Sequence, residues 1–321
     1  MPDVKKQHYV PQFYLKQFAS PDERLYAFNK FAKKSFQTRV RDAASEMRFY
    51  DIHPDFYQNL QANIANGTAE PIEAKLLAKV LDTQLVEHEL GVREATFAPV
   101  FSSILTSIEQ KRRFTEEQRW RMAEFIAMQA VRTPDARRTY IDIRRSVFSE
   151  LLRRSSKPAA DTFPLEYDER YAALDHTRLM FDPGFQNQLC LTLANHIWLV
   201  GENTTSAHFY TSDAPVTKRG YFTAPEAGMG WGSYGVEITF PLSPKLILIL
   251  CERTAFPRLA QLDEHIVPLT LDQVTYYNSL QVILSYRSVY CPVGEFLLAA
   301  EICNEHPEVC SPNPLRVQSS S

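Results

Sequence analysis

The sequence predicts an α+β protein, a helical middle region packed against a mainly antiparallel C-terminal β-sheet. Two observations carry this. From residue 70 to residue 154 apolar residues recur at three- and four-residue spacing, the period of a helix with one buried face. After residue 196 the apolar runs shorten to strand length, as in "HIWLVGEN" and "LILIL", and turn residues separate them. No internal repeat divides the 321 residues, so the chain is read as one unit, 1–321. Within it lie an N-terminal motif segment (1–66), a helical region (67–155) and a β-rich region (184–300).

The elements follow in order. "RLYAFNK" alternates as a strand, with Pro21 and Asp22 marking the turn before it. Helix is expected from Glu70, with a break at Gly91 or Pro99. "TEEQ" sets Thr115 as an N-cap with Gln118 three residues on, the spacing of a capping box. "RTP" repeats the signal, with Thr133 as N-cap and Pro134 at the first helical position, where its missing N–H costs nothing. The Arg-rich helix that follows ends near Arg154, and "RRSSKPAADTFPLE" reads as an exposed loop. A short helix is expected around 184–196. "HIWLVGEN" and "HFYTSD", joined by "TTSA", are expected to form a β-hairpin. "GVEITFPLSPKLILILCE" supplies two strands split at "SP", "TLDQVTYYNSLQVILSY" a helix capped by Thr270, and "RSVYCP" a late strand. The terminal "QSSS" is expected to fray.

Composition narrows the function classes. A net charge of -3 and a pI near 6.3 give no sign of general nucleic-acid affinity, although local basic patches remain open. Five scattered cysteines, an odd number with no CxxC pair, argue against a disulfide framework or a zinc knuckle and for reduced thiols. Met1 leads into charged residues rather than a signal-peptide core, and no apolar run approaches a membrane span. The expectation is a cytoplasmic protein with no membrane partner.

Four polar constellations could carry chemistry. The first is His8 with Tyr9, Gln12 and Tyr14 in "KKQHYVPQFYLKQF", an imidazole, an amide and two phenols within seven residues. A histidine between apolar neighbours is more often a hydrogen-bonded core residue than a catalyst, and the clustering is what raises the functional reading. The second is "LVEHELGVRE": Glu87 and Glu94 fall two helical turns apart on one face, where they could hold a divalent ion, share acid and base roles, or face solvent. The third is "WRMAEFIAMQAVRTP", apolar nearly all round from Trp120 to Val131 and so expected to be buried. It carries Gln129 and Arg132 inward, and a buried guanidinium must meet an anion, either an internal acid or a bound phosphate or carboxylate. The fourth is "FYTSDAPV", in which a strand ends at Ser212 and Asp213 before the Ala214–Pro215 turn. Asp213 there could cap the N–H groups of Val216 or Thr217, or act as metal ligand or general base. Ser212 stands outside a GxSxG elbow, which weakens a serine-hydrolase reading.

"HYVPQFYLKQF", "FYD" at Phe49 to Asp51, the "E…GVRE…FAPV" helix, "FIAMQAVRTP", "FYTSDAPV" and "PLSP", in this order, resemble the bacterial family called domain of unknown function 4238. The resemblance runs from about Lys5 to Tyr290. One departure is Ala214, where the family pattern often has asparagine. The resemblance implies that the four constellations converge on one site, and that the chain acts as an effector or toxin in bacterial, including antiviral, defence.

The leading expectation is a hydrolase of phosphodiester type, nuclease-like. In it His8 is the general acid or base, Asp213 with Glu87 or Glu94 holds Mg2+ or Mn2+, and Gln129 with Arg132 binds the phosphate. Tyr9, Gln12, Tyr14 and Ser212 complete the ligand site. Against it, the sequence has no PD-(D/E)xK, HNH or Arg-x4-6-His motif. The alternative is a non-catalytic sensor for a small anionic ligand or nucleotide, with "RRTYIDIRRSVFSELLRR" as a partner or nucleic-acid surface.

Overall fold

A computed structural model describes residues 4–67, 84–154, 168–221 and 229–311. The N-terminal segment contributes β1 (Lys6–His8), the single turn α1 (Gln12–Leu15), β2 (Arg24–Asn29), β3 (Lys34–Arg39), β4 (Ser45–Met47) and α2 (Pro54–Ala65). The helical middle comprises α3 (Leu85–Glu109), α4 (Glu116–Val131), α5 (Pro134–Arg154), α6 (Ala172–Phe181) and α7 (Pro183–Asn195). The remainder is β5 (Ile197–Asn203), β6 (Thr211–Ser212), β7 (Thr217–Gly220), β8 (Val236–Ser243), β9 (Leu246–Cys251), β10 (Ile266–Leu269), α8 (Leu271–Leu284), β11 (Ser288–Cys291) and α9 (Leu297–Glu305). The chain is thus α+β. The expected helix start at Glu70, the expected loop of 153–166 beyond Arg154 and the terminal "QSSS" lie outside the described residues, while Arg153 and Arg154 end α5.

The caps form as the sequence signals. Thr115 and Thr270 each accept a bond from the backbone of the glutamine three residues on, whose side chain returns one to the cap backbone. Thr133 Oγ1 accepts from Ala136 N at 3.2 Å. Neither Gly91 nor Pro99 breaks α3, which is continuous through both. Pro99 sits on the exposed face, where water can take the carbonyl bond that proline forfeits.

Three sheets organise the rest. A five-stranded sheet runs β10-β5-β9-β8-β7, antiparallel except for the β10–β5 pair. A four-stranded antiparallel sheet runs β3-β2-β11-β6, and β1 pairs with β4 alone. The expected hairpin of "HIWLVGEN" and "HFYTSD" therefore does not form, because β5 and β6 belong to different sheets. The central strands β5, β8 and β9 of the five-stranded sheet are buried on both faces. Trp198, Val200, Ile238, Phe240, Leu248 and Leu250 join the core of α3, α4 and the N-terminal segment. Ile197, Leu199, Ile247, Ile249 and Cys251 alternate with them and meet Val274, Tyr277 and Leu280 of α8. Beyond α8, Val282 packs with Phe28, Val289 and α9 in a third cluster.

Two expectations are corrected by packing. Trp120 is 37% exposed, because the buried stripe of α4 passes through Met122, Phe125, Ile126 and Gln129 and leaves it outside. Cys303 and Cys310 form a disulfide, while Cys190, Cys251 and Cys291 are buried free thiols. Among the described residues no helix is long and apolar enough to cross a membrane.

Gly201, in β5 between its two neighbours, exposes how tightly the sheet packs. A Cβ there would lie 2.6 Å from Leu269 Cδ1 and 2.7 Å from Ile247 Cγ2. Gly201→Ala is expected to destabilise the protein by about 1–3 kcal/mol, as other overpacking substitutions do. Urea unfolding measures this, and an unchanged midpoint would show that the neighbouring side chains yield freely.

Candidate functional site

The N-terminal motif is fastened to the rest of the chain by its own side chains, by those of α4 and by its pairing with β4. Gln7 is fully buried; its Oε1 accepts from Tyr50 N at 2.6 Å and its Nε2 donates to Asp51 Oδ1 at 2.6 Å. From α4, Gln129 Nε2 donates to Tyr9 O at 3.0 Å, and Arg132 Nη2 donates to His8 O at 2.7 Å. Tyr14 reaches the sheets: its hydroxyl donates to Pro241 O at 2.7 Å and accepts from Thr211 Oγ1 at 2.6 Å, while its ring stacks on Phe240 at 4.8 Å. Burial holds the Tyr14 phenol far above its usual range. Gln12 is half-buried on α1.

Arg132, at the C-cap of α4, is 2% exposed. Its Nη2 also donates to Glu94 Oε1 at 2.8 Å, so the anion it meets is a carboxylate of the chain itself. Tyr50 OH donates to its carbonyl at 3.0 Å. Glu87 lies two turns before Glu94 on α3. Burial pushes its carboxyl up to about 7, with Arg132 opposing and the Glu94 charge adding to the rise. His8 is half-buried, and burial lowers its pKa while Glu94 resists. The ring nitrogen Nε2 donates to Arg41 O at 3.1 Å, which leaves Nδ1 carrying the lone pair of the neutral ring. His8, Glu87, Glu94 and Arg132 thus form one electrostatically coupled cluster.

Asp213 belongs to a second centre. Its carboxylate is buried, and it accepts three backbone N–H groups across the corner between α8 and β11. Tyr286 N reaches Oδ1 at 2.8 Å, and Arg287 N and Ser288 N reach Oδ2 at 2.8 and 2.7 Å. The expected caps on Val216 and Thr217 are therefore replaced by a distant partner. Lys30, fully buried, grips the same corner through its carbonyls, donating to Val282 O and Ser285 O at 2.8 Å each. Burial pushes the Asp213 carboxyl up to about 6, and Lys30 and the three N–H groups restrain the rise. Three N–H donors on its two oxygens favour the carboxylate form. Ser212 is equally committed: Oγ donates to Gln281 Oε1 at 2.7 Å and accepts from Ala214 N at 3.2 Å.

The structure therefore divides the expected set. His8, Glu87, Glu94, Gln129 and Arg132 gather where α3, α4 and the N-terminal motif meet, whereas Asp213 and Ser212 hold a corner of the four-stranded sheet. Among the described residues no group of three or more His, Cys, Asp or Glu side chains could hold a metal ion, so Asp213 does not complete a set with Glu87 and Glu94. The Arg-rich helix is similarly committed. Arg144 pairs with Asp175, Arg145 with Glu169, and Arg137 stacks on Phe49 at 3.6 Å.

Sequence reasoning missed Lys30 and the His176–Arg137 pair. His176 is fully buried; Nε2 donates to Val131 O at 2.7 Å and Nδ1 accepts from Arg137 Nε at 3.1 Å. Burial lowers its pKa to about 3, with the Arg137 charge adding to the shift. An apolar setting for a lysine inside a strand–turn junction, "AFNKF", was the only local signal for Lys30.

A family model described as "Protein of unknown function (DUF4238)" matches residues 6–291. No curated protein and no solved structure matches the chain.

Two outcomes test the structural centres. Lys30→Met and Asp213→Asn should each cost about 3–5 kcal/mol, since each strands a buried partner. The double variant should cost less than the sum, by an amount a double-mutant cycle measures. Strict additivity would show that the two ions act independently. For His176, the folded pKa near 3 lies below the ordinary 6.5, so between those values the unfolded chain binds the extra proton. Its contribution to stability is complete above about pH 6.5 and falls as pH drops toward 3, by up to about 1.4 kcal/mol per pH unit. Unfolding free energies of wild type minus His176→Gln should show that slope, and parallel pH profiles would contradict it.

Proposed function

The chain belongs to the DUF4238 family, and from that premise and the geometry above we propose that it is a hydrolase of phosphodiester type, nuclease-like, working by acid–base chemistry at His8 and Glu87. The observation that carries this reading is the pairing of opposite protonation tendencies in one cluster. His8 is held neutral with Nδ1 bare, fit to accept a proton from an attacking water. Glu87 retains a proton up to about pH 7, fit to give one to a leaving oxygen. Glu94 and Arg132 set the field between them and fix the His8 backbone. Among the described residues a divalent ion, Mg2+ or Mn2+, would find Glu87 and Glu94 here but no set of three such ligands, and water and substrate oxygens would complete its shell, as Mg2+ commonly requires. The biological setting we attach to this reading is a bacterial defence or toxin effector.

A second reading, a non-catalytic sensor for a small anion or nucleotide, draws on Arg132 Nε and Gln129 Oε1, both buried without a partner. One assay separates the two. Purified protein is incubated with RNA, DNA and nucleotides in Mg2+, Mn2+ or EDTA. The hydrolase reading expects turnover that falls about 100-fold or more in His8→Ala and Glu87→Gln, at unchanged melting temperature. Its pH profile should rise as His8 loses its proton below 6.5 and decline near 7 as Glu87 ionises, and Glu87→Gln should remove the declining limb. Ligand-induced thermal stabilisation without turnover would favour the sensor.

A further inference from the structure

We infer that the groove beyond the C-terminal end of α3 is a binding site for phosphate groups, taking a nucleotide or the backbone of a single-stranded oligonucleotide. The groove encloses about 600 Å3, and its walls include Lys111, Arg112, Arg113, Lys245 and His265. That volume lies within the range of about 300–1,000 Å3 usual for small-ligand sites.

The charges are what distinguish it. Lys111, Arg112 and Arg113 are all exposed, and among the described residues none of the three pairs with a carboxylate. Among the described residues Lys245 is tied only to carbonyls, at 2.6 Å to Thr205 O and 3.2 Å to Ala207 O, and pairs with no carboxylate. The facing carboxylates are Glu109, Glu202 and Glu264. Arg119 already holds Glu264 at 2.9 Å, which leaves two acids against four cations and a histidine. The floor is apolar, from Ile108, Leu246 and Ile266, a surface on which a base or sugar can lie while the rim holds the phosphates. His265 Nδ1 donates to Asp263 O at 3.1 Å, turning its other nitrogen outward.

Cations at a helix C-terminus also favour the helix dipole, and that accounts for one of them. It does not account for three in succession turned into a concavity. Lys111 takes a left-handed φ of 52°, which reverses the chain at the helix end and carries Arg112 and Arg113 onto the groove wall. Guanidinium forks match phosphate oxygens in pairs, so two adjacent arginines suit this ligand better than a single carboxylate. Glu87 and Glu109 stand at opposite ends of α3, about 33 Å apart at the helical rise. This site is consequently separate from the acid–base cluster, and its test does not depend on catalysis.

Binding is measured by fluorescence anisotropy with labelled 12-nucleotide RNA and DNA, and by calorimetry with ADP and pyrophosphate. The variants are Arg112→Glu/Arg113→Glu and the milder Arg112→Gln/Arg113→Gln, with the exposed Arg258→Glu as a net-charge control. Wild-type affinity for at least one probe should fall by about tenfold between about 50 and 200 mM salt, as for roughly two neutralised phosphates. Both double variants should lose that salt-dependent binding at unchanged melting temperature, and Arg258→Glu should keep it. Response to oligonucleotides alone identifies a backbone site, and response to ADP and pyrophosphate identifies a nucleotide site. Absence of binding to every probe at low salt, or binding that survives both double variants, overturns the inference.

Discussion

The corner between α8 and β11 is the constraint on which much of the architecture hangs. A helix ends there with unsatisfied carbonyls, and a strand begins with unsatisfied N–H groups, all away from water. Lys30 supplies the cation to the carbonyls and Asp213 the anion to the N–H groups. Two ions that would each be costly to bury alone are tolerated because they lie at one corner and each is hydrogen-bonded to several backbone groups. Lys30 follows β2 and Asp213 follows β6, the two strands that flank β11, so both ions hold the chain at the same corner of the four-stranded sheet. The strand β6 is only two residues long because side chains replace the ladder around it. Asn278 Oδ1 accepts from Tyr210 N, and Gln281 binds both Ser212 Oγ and Pro215 O.

The aromatic and polar richness of the N-terminus follows from the same economy. This segment forms only the three-residue β1 and the single turn α1, so Gln129 and Arg132 help hold its backbone and its side chains fill the space between helices and sheet. Tyr14 spans from the helical core to both larger sheets, through Phe240 and Pro241 on one side and Thr211 on the other. A motif anchored in this way places His8 at a fixed position beside Glu94. It also separates two kinds of polar residue. Asp213, Ser212, Tyr14 and His176 have their hydrogen-bonding atoms committed within the protein, whereas His8 Nδ1 and Glu87 keep capacity for proton exchange.

Local signals in the sequence were sufficient for the α+β class, for the capped starts of α4, α5 and α8, and for the β8–β9 pair, because each depends on residues a few positions apart. The spacing of Glu87 and Glu94 and the inward course of Gln129 and Arg132 were legible for the same reason, and Arg132 meets Glu94 as a buried guanidinium must. Tertiary structure alone decided the remainder. It separated "HIWLVGEN" from "HFYTSD", since nothing short-ranged says which sheet a strand joins. It exposed Trp120, because the tilt of α4 on its neighbours chooses the buried stripe. It turned Asp213 from a local turn onto Tyr286, Arg287 and Ser288, more than seventy residues away. It also buried Lys30 and His176 against carbonyls at sequence distances of 252 and 45 residues. A side chain's type declares which bonds it can make, but only the folded chain determines which distant partner lies within three ångströms of it.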